Sequence, residues 1–154
     1  MIYIRRFSLC LLILWMVACD TVNETSIPYR PVYLELDLSF EDKALYNIQA
    51  YKLYTPKNIN QSGEKTGFGG VLVYHGINNI GGSSFYAFDA ACPNEASSTT
   101  IVEVDGAGIN AVCPKCGSKF DLLNGLGNPQ SGPAKFGLLR YNVNTIGNKI
   151  YVRN

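Results

Sequence analysis

One histidine, His75, stands in the 154 residues of this chain. It lies beside an apolar strand, before a turn and away from every cysteine, so it reads as a surface or hairpin residue rather than a ligand. An excess of one charge is also missing. The formal net charge is +1, with neither a basic patch nor an acidic tail, so nucleic acid is not an expected partner. No apolar run is long enough to cross a bilayer: residues 9–17 come nearest, and a span needs about 20 residues. No internal repeat or heptad pattern occurs, which excludes solenoids and coiled coils. The glycine-rich runs at 67–70 and 125–132 lack the lysine and the strand–helix context of a phosphate loop, so they are turns. No serine sits in a nucleophile elbow. Asp89, Asp105 and Asp121 each border a strand and suit turn formation better than paired acid–base work. What remains is a carrier or binding module rather than a stand-alone catalyst.

The N-terminus reads as a targeting segment. Arg5 and Arg6 precede the short apolar run, and Met16-Val17-Ala18-Cys19 closes it. That closing motif resembles a bacterial lipobox. The resemblance implies that residues 1–18 are a lipoprotein signal peptide, removed before Cys19, whose thiol is then acylated. Two or more acyl chains anchor stably, since each buried methylene contributes about 0.8 kcal/mol. The expected location is the extracytoplasmic side of the bacterial cell envelope, inner or outer membrane alike. Arg5-Arg6-Phe7-Ser8-Leu9 resembles a twin-arginine signal less well than the whole segment resembles a general secretory one. The secretory route implies export of an unfolded chain. Residues 19–30 read as a polar, lipid-bearing tether, because Thr, Asn, Glu and Ser cannot build a core. Residues 31–154 then form one domain, long enough to bury one.

Tyrosine and glycine are frequent, which suits an all-β domain with many turns. In residues 32–38, Val32, Leu34, Leu36 and Leu38 alternate with polar or aromatic positions, the period of a half-buried strand. Residues 45–54 have a mixed pattern. Their tyrosines favour a strand pairing back on residues 32–38. Residues 55–70 read as a long exposed loop. Residues 71–74 and 85–88 are predicted strands joined by a Gly-Gly hairpin connection. Residues 100–104 and 108–112 form a second hairpin around Asp105-Gly106. Residues 120–123 are another strand, residues 124–137 a Gly/Pro loop, and residues 138–143 and 149–152 a closing hairpin.

Five cysteines are present. Cys10 leaves with the signal and Cys19 carries lipid, so Cys92, Cys113 and Cys116 remain. An odd number does not suit a purely disulfide framework in an oxidising compartment. Cys92-Pro93-Asn94 and Cys113-Pro114-Lys115-Cys116-Gly117-Ser118-Lys119-Phe120-Asp121 are Cys-Pro turns, each following an apolar strand. Together with Gly69-Gly70-Val71-Leu72-Val73-Tyr74, Tyr86-Ala87-Phe88-Asp89, Gly132-Pro133-Ala134 and Leu138-Leu139-Arg140-Tyr141, they resemble, in order, the blocks of a Rieske-type [2Fe–2S] domain. The match covers about residues 69–152. It implies a Rieske-like stack of small antiparallel sheets, with a two-loop (rubredoxin-like) cluster-binding subdomain at about residues 90–135. It further implies a membrane-anchored electron-transfer module for an envelope redox partner.

Carried over by position, Cys92 and Cys113 match the two cysteine ligands. Asn94 and Cys116 fall where the family has histidines, and Ser118 keeps the second-box serine. These departures change the chemistry. A carboxamide is a weak iron donor. Thiolate in place of imidazole moves a two-iron centre toward the potential of all-thiolate centres, on the order of −400 mV. The same cysteines admit two other readings. Cys113-Pro114-Lys115-Cys116-Gly117 has zinc-knuckle spacing, with Cys92 and Glu95 completing a zinc set. Alternatively, no metal binds and two of the thiols pair as a disulfide, leaving a structural or binding lipoprotein. A thioredoxin-like Cys-x-x-Cys is disfavoured, because Gly117 leads into a strand and no helix N-terminus depresses a thiol pKa.

Overall fold

The computed structural model describes residues 25–59 and 61–154. The expected signal segment, residues 1–18, and Cys19 lie outside the described residues. The strands are β1 (Val32–Asp37), β2 (Tyr51–Tyr54), β3 (Lys65–Thr66), β4 (Val71–Ile77), β5 (Ser83–Asp89), β6 (Glu103–Val104), β7 (Asn110–Val112), β8 (Lys119–Asp121), β9 (Pro129–Ser131), β10 (Arg140–Ile146) and β11 (Lys149–Arg153). One 3₁₀ turn, Lys43–Tyr46, is the only helical element among the described residues. None of those residues forms a helix able to cross a membrane. The architecture is all-β with antiparallel pairing, as the composition and alternation imply.

Seven strands form the larger sheet in the order β2-β4-β5-β10-β11-β1-β3. The other four form a small sheet, β6-β7-β8-β9. β4 explains how the two are joined. Successive side chains of a strand point to opposite faces, and in β4 both faces are buried. Val71 and Val73 enter a core with Leu34, Leu36, Leu45, Tyr54, Ile150 and Val152. Leu72 and Tyr74 enter a second core with Phe88, Phe120, Leu122 and Leu138. That second core fills the space between the sheets, and Cys92 and Cys113 belong to it. The first core takes residues from strands near both ends of the large sheet, so the sheet curls around it.

Several local expectations change. Residues 45–54 split into the 3₁₀ turn and β2, and β2 pairs with β4 rather than with β1. The edges of β1 are taken by β11 and β3. The supposed loop 55–70 contains β3, and Thr66, Gly69 and Gly70 are buried. His75 is inside, not on the surface: its Nδ1 is 2.9 Å from the Leu45 carbonyl and its ring stacks on Phe85. Ile27, within the segment read as a tether, is buried.

Candidate metal centre

Both cysteine loops grow from strands of the inter-sheet core. β5 ends at Asp89, and residues 90–92 continue it, with Cys92 N–H bonded to the Thr100 carbonyl. Pro93 cannot donate to a ladder and turns the chain. The Glu95 and Ala96 N–H groups then close back on the Cys92 carbonyl. In the second loop β7 delivers Cys113. Gly117 N–H bonds to the Cys113 carbonyl, and Cys113 N–H to the Ser118 carbonyl, before β8 begins. Gly117 has φ 73°, a left-handed conformation that a side chain disfavours. A third loop roofs the pair. A Cβ on Gly132 would lie 2.5 Å from Ser118 Cα, so only glycine allows this approach.

The three predicted cysteines meet. Their sulfurs all lie within 4.8 Å of one another. Cys92 Sγ and Cys116 Sγ are 3.7 Å apart, a contact between free thiols rather than a bond. Cys92 and Cys113 are buried, whereas Cys116 is partly exposed. Burial pushes the Cys92 thiol up to about 12; the backbone N–H groups of Asn94 and Glu95, which favour its thiolate, oppose this. Cys116 moves the other way. Burial raises it, but hydrogen bonds from the Ser118 side chain and backbone and from the neighbouring thiols outweigh that and lower it. As a thiol, Cys116 Sγ donates to Ser118 Oγ at 3.2 Å; as a thiolate it accepts from the same hydroxyl, whose oxygen accepts from Ala134 N–H at 3.0 Å. The two loops are further clamped by an ion pair between Lys115 and Glu95.

The other predicted ligands do not join the sulfurs. Asn94 is exposed, and its amide donates to Glu95 Oε1 at 3.1 Å. The Glu95 carboxylate is held by Lys115, and Glu95 is not part of the convergent group. A Rieske cluster takes four protein ligands, two on each iron. Here three thiols are present and the fourth position holds an engaged carboxamide. The donor set does not complete that cluster; it suits a thiolate-held metal ion.

Two supports were not visible in the sequence. Asp89, read as a turn residue, is fully buried and accepts from Phe68, Gly69 and Ala91 N–H and from Tyr141 O–H. Ser26 donates to the Pro93 carbonyl, so the N-terminal segment lies against the first loop. The opposite charges of Glu95 and Lys115 at two loop tips were the one signal that could have revealed the clamp.

No family model matches the chain, and no curated protein does. Among solved structures, a chain from the complex of reduced oxygenase and oxidized ferredoxin in carbazole 1,9a-dioxygenase is similar in backbone course. The TM-score is 0.47 at 20% identity, covering 80% of this chain and 94% of that one. A likeness of that size assigns neither ligands nor activity.

Proposed function

We propose that the chain is a metal–thiolate module of the bacterial cell envelope, anchored by lipid on Cys19. It uses a Rieske-type scaffold without the Rieske histidines. The observation that carries this reading is the convergence of Cys92, Cys113 and Cys116 from two loops far apart in sequence. A core that needed only small apolar residues there would not place three sulfurs together with a buried hydroxyl 3.2 Å from Cys116. Metal binding would draw the three sulfurs to the thiolate form, and thiolates select soft or borderline ions such as zinc and iron. A second reading makes the module an electron carrier for an envelope partner, with iron in the same thiolates. It is favoured by the partly exposed Cys116, which gives the buried site an edge at the surface.

The test is metal and acid-labile sulfide content. The protein, made with its own signal and purified from membranes under reducing conditions, is expected to hold stoichiometric metal. A variant with Cys92, Cys113 and Cys116 all changed to Ser should hold none while keeping its β-sheet circular dichroism. Equal metal content in the two proteins, or none in the wild type after reconstitution with zinc or iron, would overturn the reading.

A further inference from the structure

We infer that the three sulfurs are three corners of one tetrahedral, single-ion site whose fourth corner is left to a neutral exogenous ligand. This rests on the metal–thiolate reading above. The spacing carries the first half. Metal–sulfur bonds of about 2.3 Å in a tetrahedron set the sulfurs roughly 3.8 Å apart. Cys92 and Cys116 stand at 3.7 Å, and Cys113 is within 4.8 Å of both. A two-iron cluster needs the opposite arrangement. It would put Cys116 on the iron that Cys92 and Cys113 do not hold, with bridging sulfides between them. Cys116 instead touches Cys92.

The second half follows from the lack of a fourth donor. Among the described residues no other histidine, cysteine or carboxylate joins the group. Asn94 is turned to Glu95, and Glu95 to Lys115. Ser118 Oγ is occupied by Cys116 and Ala134. His75 is bonded to the Leu45 carbonyl. Of the three cysteines only Cys116 reaches solvent, so the open corner lies on its side. Three thiolates on a divalent ion leave one negative charge in excess. Lys115 is already paired with the Glu95 carboxylate and so leaves that excess largely uncompensated. A second anion is therefore disfavoured. The ligand class is a neutral nitrogen or oxygen donor, such as water or an imidazole.

The full-length reduced protein, stripped of metal, is titrated with Co²⁺ and then with imidazole. One cobalt per chain is expected, with the visible bands of tetrahedral thiolate coordination. Imidazole should shift those bands saturably. Asn94→Ala should leave the cobalt spectrum unchanged. Asn94→His should bind cobalt with a spectrum already resembling the imidazole-treated wild type, and should no longer respond to imidazole. A wild-type spectrum insensitive to imidazole, or one altered by Asn94→Ala, would show a closed site and overturn the inference. So would two irons and two sulfides per chain after iron–sulfur reconstitution. All three results leave the metal–thiolate reading standing, whereas failure to bind cobalt at all removes that reading itself.

Discussion

Asp89 joins the large sheet to the first cysteine loop. Its Oδ1 accepts from Gly69 and Ala91 N–H at 3.0 and 2.9 Å, and its Oδ2 from Phe68 N–H and Tyr141 O–H at 2.8 and 2.6 Å. A buried carboxylate is tolerable only when its oxygens are satisfied in this way. Asp89→Asn places an N–H₂ group against backbone N–H donors and should destabilise the protein by about 3 kcal/mol. Tyr141→Phe removes a single donor and should cost about 1 kcal/mol. Urea denaturation of the metal-free protein measures both, and an Asp89→Asn protein as stable as wild type would refute this role for the carboxylate. The sequence showed only the local part of this hub. Ala91, two residues on, is within reach of a turn-forming aspartate. Phe68 and Tyr141 are brought in by pairing that no local pattern announces. The cysteines were legible for the opposite reason: a Cys-Pro turn after an apolar run marks its own position.

At the scale of elements, the first cysteine loop holds a strained residue. Ala96 has φ 46°, a region in which an alanine is disfavoured, and its N–H helps close the turn on Cys92. Ala96→Gly should therefore stabilise the metal-free protein by about 0.5–1 kcal/mol, read as a rise in urea midpoint. A fall in the midpoint would mean that the φ at Ala96 costs nothing. The predicted hairpins fared well because their turns are encoded locally, by Gly81-Gly82, Asp105-Gly106 and Gly147-Asn148. β1 was legible because one of its faces is buried, so its residues alternate. β2 was legible as a strand but not in its partner: its Tyr51, Lys52, Leu53 and Tyr54 carry no alternation that selects one, and it pairs with β4. His75 was misplaced for a related reason. It sits in β4, the strand where even a polar ring is covered, and its Nδ1 finds a carbonyl on the 3₁₀ turn.

The whole molecule is two cores sharing one wall, with the cysteines set into the core between the sheets. That placement gives the thiols a rigid floor and leaves only one edge, at Cys116, toward solvent. All-β character and loop order were readable from residue types and spacing. Whether the sulfurs converge was not, since it depends on β7 and β8 packing over the end of β5. The balance between a two-iron cluster and a single ion also depends on that convergence, through the distance between Cys92 and Cys116. X-ray absorption at the metal edge, on protein reconstituted with zinc or iron, reads this directly. The expected result is a first shell of three sulfurs and one lighter atom, with metal–sulfur distances of about 2.3 Å and no second metal nearby. A metal–metal scattering shell, or a first shell without sulfur, would contradict it.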